Sequence, residues 1–391
     1  MKDALDQTLS GATAAGLVPY QQALDQFRCF IGDPVALAQQ AVEANPEFTM
    51  AHLLKAWLHL LGTEPAGIAV ARAACDAAAA LPATARERLH LQAAQLLAHG
   101  HWHEAARVLE DLSLEYPHDL LALQAGHQVD FFTGNSRMLR DRIARALPAW
   151  NQGMPGYHAM LSMHAFGLEE TADYAQAERV GRRSVELEPR DGWGWHAVAH
   201  VLEMRNDPTA GVAWLGRNAA TWADGSFFAV HNWWHLALYH LELGQVDEVL
   251  RLYDSSIGTG SEVMLDLVDA TAMLWRLQLR GVAVGERWTA VADRWQSAGQ
   301  PGLYAFNDLH MMMAFCGAGR ADAQARVREA AAQAMQRDDD NREFTSAVGD
   351  PAARAVQAFA QGEYAQCVQL LRRIRASAHR FGGSHAQRDV L

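Results

Sequence analysis

EPRDGWGWHAVAHVLEMRND (188–207) opens with a proline beside a helix start, where the missing N–H costs little, and closes on Asn-Asp. Two other stretches share this plan: NPEFTMAHLLKAWLHLLG (45–62) and YPHDLLALQAGHQVDFFTG (116–134). A second helical stretch follows the first of these strings, PTAGVAWLGRNAATW (208–222). Such pairs return at roughly 34–38 residues, the period of tetratricopeptide helical hairpins. Between them stand turn residues: Gly62, Gly100, Gly134, Asp207-Pro208 and Gly244.

Apolar residues three and four apart run through AHLLKAWLHLLG (51–62), ERLHLQAAQLLAHG (87–100) and VDEVLRLYDSSIG (246–258), and strand patterns are nearly missing. The expected fold is therefore all-α: a tetratricopeptide-like α-solenoid of antiparallel helix pairs, curled around a central pocket. Residues 1–391 read as one repeat domain, with an N-terminal cap (1–30), a main array (31–320) and C-terminal capping helices (321–391). First helices, which line the concave face, are expected near 120–133, 155–168, 193–205, 227–243, 262–279 and 303–317.

A formal charge of -12 argues against nucleic acid as a partner, because phosphate binding wants a basic surface. Cys29, Cys75, Cys316 and Cys367 are scattered and form no CxxC, which fits a reducing compartment. No apolar run suits a membrane span or a secretory leader. The expected location is cytoplasmic, and the Ala- and Arg-rich composition has a bacterial cast.

The chemistry concentrates on the first helices. His196 and His200 are four apart with Glu203 three further on; His231 and His235 are four apart beside Trp233 and Trp234. Residues at that spacing share a helix face. Neighbouring first helices add His158 and His164, Asp266 and Asp269, and Asn307 and His310. Three readings stand open. His196, His200, His231 and His235 can hold a divalent metal, completed by a carboxylate. They can instead form a metal-free acid–base pocket, with Glu203 or Asp269 orienting a histidine, and His164, Trp195, Trp233, Trp234, Asn307 and His310 binding a ligand. Or they fill core, as read for His127, His240 and Met311–Met313, with Trp193 or Trp195 marking a helix entry. The run of His99, His101 and His103 reads as a solvated loop.

GWGWHAVAHVLEM (192–204), FFAVHNWWHLALYHLELGQVDEVLRLYD (227–254) and HAFGLEETADYAQAERVGRRSVELEPRDGW (164–193) resemble the tetratricopeptide repeat protein 38 family. The resemblance runs over about residues 15–380 and implies an all-α fold of divergent repeats. It implies no settled activity, and so no catalytic roles.

The functional expectation is a small-molecule-binding protein, with hydrolytic or proton-transfer chemistry at a His/Trp/carboxylate pocket that a divalent metal could serve. The alternative is a scaffold that binds a peptide or protein partner in the concave groove; a homodimer stays open. Lys2 and Lys55 are the only lysines, so a groove for acidic peptide tails is disfavoured.

Overall fold

The computed structural model describes residues 1–217 and 219–391. Among them the fold is all-α, an array of tetratricopeptide-like antiparallel helix pairs. The chain divides into two compact units: residues 1–62, 66–131 and 136–232 form the first, and 63–65, 132–135 and 233–391 the second.

In chain order the helices of the first unit are α1 (Ala14–Cys29), α2 (Pro34–Ala44), α3 (Thr49–Leu60), α4 (Pro65–Ala79), α5 (Ala85–Ala98), α6 (Trp102–Glu115), α7 (Leu120–Phe132), α8 (Ser136–Ala146), α9 (Tyr157–Glu169), α10 (Tyr174–Leu187), α11 (Gly192–Met204), α12 (Pro208–Gly216) and α13 (Ala219–Ala223). Helix α14 (Ala229–Glu242) carries the chain from one unit into the other. The second unit continues with α15 (Val246–Leu252), α16 (Met264–Leu279), α17 (Arg287–Ala298), α18 (Ala305–Gly317), α19 (Ala321–Ala334), α20 (Asp340–Phe344), α21 (Asp350–Ala360), α22 (Tyr364–Ile374) and α23 (His385–Arg388).

Side-chain caps start several of these helices. Asp33, Asp173, Asp191 and Asp207 accept from the backbone N–H groups of Ala36, Gln176, Gly194 and Ala210. Thr84 and Glu87 form a reciprocal capping box at α5. Pro34 and Pro208 occupy first-turn positions. Gly100 and Gly134 take left-handed backbone (φ 86° and 68°) at two of the expected turns.

First and second helices differ in how they are buried, and the sequence explains why. In α9 every residue from Ala159 to Glu169 is buried, and in α11 every residue from Gly192 to Leu202. Such helices are walled on all sides and can be apolar all round. Helix α10 packs between them and buries only Ala177, Gly181, Ser184 and Val185, four positions on one stripe.

The hairpins are locked by a recurring device. Asp119 caps α7 by accepting from Ala122 N–H at 3.0 Å, and also accepts from Arg86 Nη1 at 2.6 Å. His90 Nε2 lies 2.8 Å from the same carboxylate, and Trp57 Nε1 donates to His90 Nδ1 at 3.1 Å. Because Nδ1 accepts, the ring proton sits on Nε2 and is donated to Asp119. Asp191 repeats the arrangement at α11: it accepts from Gly194 N–H at 3.0 Å and from Ser184 Oγ at 2.7 Å, with His158 Nδ1 at 2.8 Å.

Helices α8 and α9 approach closely because residue 167 is glycine. A Cβ there would stand 2.4 Å from the backbone N of Arg140 and 2.5 Å from its Cα. Those are backbone atoms that no rotamer change can move. Gly167→Ala is expected to lose about 2 kcal/mol, since overpacking outweighs the gain in helix propensity. Urea unfolding measures it; a midpoint at or above that of the wild type would mean the two helices can part freely.

Candidate functional site

Helix α11 is held at its start by Asp191, and Asn232 of α14 donates from Nδ2 to the Gly192 carbonyl at 3.1 Å. This fixes the two helices so that their histidines meet. His196 and His200, one turn apart, have ring centroids 4.4 Å apart and nearly perpendicular planes (81°). His231 of α14 shares a hydrogen bond with His196 between their Nε2 atoms, at 3.1 Å. Nitrogens of His196, His200 and His231 lie within 4.8 Å of one another. His196 and His200 are buried, and His231 is half-buried.

Aromatic rings enclose the group. Phe166 of α9 packs on His196 and His200 (5.1 and 5.2 Å), Trp193 on His196 (4.7 Å), and Phe228 on His196 and His231 (5.2 and 5.1 Å). The carboxylate beside His200 is Glu169, at the end of α9, with Oε2 3.6 Å from Nδ1. Both side chains are fully buried.

The other sequence candidates fall as follows. Trp195 turns to the second-helix side: its Nε1 donates to the Pro189 carbonyl at 2.9 Å and its ring packs on Trp214 at 4.3 Å. Trp193 is the tryptophan that reaches the imidazoles. His164 is buried on α9, and burial together with Arg140 lowers its pKa. Glu203 is half-buried, one turn beyond His200. His235 follows His231 by four residues on the same helix and is buried; in its own unit it packs on Trp234 at 4.9 Å, a ring that Arg276 covers at 5.1 Å. Trp233 is half-buried and Asp269 buried.

Asn307 donates from Nδ2 to Thr63 Oγ1 at 3.2 Å. His310 Nδ1 bonds the Phe306 carbonyl of its own helix at 2.8 Å, and burial lowers its pKa to about 4, so it is neutral at pH 7. Nearby Asp308, which receives Gly302 N–H at 2.9 Å, is pushed up to about 7 by burial.

Phe166, Phe228 and Glu169 belong to the histidine group without having been among the sequence candidates. The signal for Glu169 was present in LEET (168–171), at the end of the neighbouring first helix. Finding it required knowing how far α9 and α11 are offset along their axes.

The fold is tetratricopeptide-like. No family model matches the chain. Among solved structures, it is similar to a chain of the APC/C hetero-tetramer Cut9–Hcn1, at 13% identity and a TM-score of 0.43, covering 95% of this chain and 69% of that one. The TPR domain of P58(IPK) aligns at 10% identity and a TM-score of 0.24, covering 92% of this chain and 89% of that one. At these scores neither protein's function or assembly passes to this one.

Proposed function

We propose that this protein is a helical-repeat interaction scaffold built around a structural transition-metal centre, with zinc the best match. The observation that carries the proposal is the convergence of His196, His200 and His231 from two helices. Two imidazole nitrogens on one tetrahedral zinc stand roughly 3.3 Å apart, given bonds of about 2.0–2.1 Å. The His196 and His231 Nε2 atoms, joined by a hydrogen bond at 3.1 Å, already stand close to that spacing, and an ion would replace the shared proton. Glu169 beside Nδ1 of His200 would fix that ring's tautomer and leave Nε2 for the ion, as orienting carboxylates do around metal-bound histidines. Bound there, the ion would pin α11 to α14.

One feature favours a structural over a catalytic centre: His196 and His200 are buried, whereas catalytic zinc keeps a position open to substrate. We also propose kinship with the tetratricopeptide repeat protein 38 family, on the strings HAVAH (196–200) and HNWWHLALYH (231–240).

Untagged protein purified without chelating resin should carry about one equivalent of zinc-class metal by mass spectrometry. His231→Gln should lose it and keep its helical circular dichroism, because this ring is only half-buried. Free zinc at a thousandfold excess over Kd should stabilise the apo wild type by about 4 kcal/mol. Protein isolated without metal that shows no saturable binding of added zinc would overturn the site. In cobalt-substituted protein the visible spectrum should not respond to azide; a response would mean an open position and restore the enzyme reading.

A further inference from the structure

The cavity of about 10 Å³ lies among α1, α7, α9 and α11 and is lined by Arg28, Gln124, His127, Gln128, Ser162 and Trp193. A space of roughly 10–15 Å³ takes one water-sized body. What distinguishes this one is its supply of unused donors. Trp193 Nε1 and Gln128 Nε2 are buried and donate to nothing. Arg28, 7% exposed, brings the positive charge; its Nη1 donates to Asp25 Oδ1 at 2.7 Å. The Asp25 side chain is 70% exposed, so most of the neutralising charge sits out in water.

The remaining walls do not offset this. Gln124 spends its amide N–H on the Phe27 carbonyl at 3.0 Å, and Ser162 spends its hydroxyl on the Ala159 carbonyl at 3.1 Å. His127 is buried with neither ring nitrogen in a well-formed hydrogen bond. Burial holds its pKa down to about 3, with Arg142 and His164 acting in the same direction and the Leu139 carbonyl opposing them. At pH 7 it is neutral, and Arg28 is the cation at the cavity. An indole N–H and a guanidinium can only donate. Leaving such groups dry is costly, and an acceptor carrying negative charge satisfies them better than a neutral one.

We propose that this cavity binds a small monovalent anion, either a halide or one oxygen of a small carboxylate. Arg28 supplies the charge, and Trp193 Nε1 and Gln128 Nε2 supply directed hydrogen bonds. The site uses none of the proposed metal ligands, so it stands or falls separately from the metal centre.

Crystals soaked in sodium bromide should show an anomalous peak within hydrogen-bonding reach of Trp193 Nε1 and Arg28. In solution, bromide and formate are titrated separately at constant ionic strength while thermal unfolding is followed. A saturable rise in Tm is expected with at least one of them. Bromide alone identifies a halide site, and formate alone a carboxylate site. Trp193→Phe, which keeps a ring against His196 and removes the N–H, should abolish the saturable part, as should Arg28→Gln. A cavity containing only water, or a Tm response unchanged in Trp193→Phe, overturns the proposal.

Discussion

Asp119→Ala lowers the unfolding free energy by about 3–5 kcal/mol, the usual cost of stranding half of a buried ion pair. Arg86 and His90 are 4% and 0% exposed and would lose their shared acceptor. Thr8 would keep its single carbonyl contact with Arg86 Nη2 at 3.1 Å. Helix α7 would lose its cap as well. Asp119→Asn keeps an oxygen for the Ala122 N–H and should cost less.

The pair also sets a pH dependence. Burial alone would raise the Asp119 pKa, but the Arg86 charge and the hydrogen bonds from Arg86 and His90 outweigh it and hold the carboxyl well below its usual range. A carboxyl whose pKa is lower folded than unfolded adds stability above its unfolded pKa, and loses it as pH falls through the folded value. The wild-type advantage over Asp119→Asn should therefore be constant above about pH 4 and shrink in stronger acid. Chemical denaturation at a series of pH values measures it. An advantage that persists undiminished at about pH 2 would show that the charge on Asp119 is not what stabilises the joint.

Arg142→Met should be similarly costly, at about 3–5 kcal/mol. Arg142 grips Asp130 with two bonds, Nε at 2.8 Å and Nη2 at 3.1 Å, and Nη2 also reaches the Ala106 carbonyl at 3.2 Å. One guanidinium thus ties α6, α7 and α8 together. It fits because residue 126 is glycine: a Cβ there would stand 2.7 Å from Arg142 Cζ. Burial raises the Asp130 pKa even against the pull of Arg142. The double variant Arg142→Met/Asp130→Leu should recover most of the loss, because a well-packed apolar pair commonly replaces a buried ion pair at little cost. A double variant as unstable as the single one would mean that packing, not stranded charge, dominates.

The sequence made the architecture legible where turns and caps are chemically explicit. The stretch expected at 193–205 is helix 192–204, and the one expected at 227–243 is helix 229–242. Glycines, Asp-Pro pairs and capping aspartates mark those boundaries without help from distant residues. The pairing of His196 with His200 was equally plain, because four-residue spacing on a helix is a local fact. Which tryptophan meets them was not: Trp193 and Trp195 straddle the helix entry, and only packing against α12 turns Trp195 to Trp214. Arg28 was opaque for the same reason. A lone arginine at the end of α1 reads as surface until neighbouring helices are seen to cover it.

The opening carboxylates Asp119 and Asp191 each reach back to an imidazole of the preceding hairpin, His90 and His158. Each such hairpin therefore brings its own fastening to its upstream neighbour. A gene built this way can gain or shed a hairpin by unequal crossing-over and still yield a chain whose joints close, which favours growth and loss by whole modules.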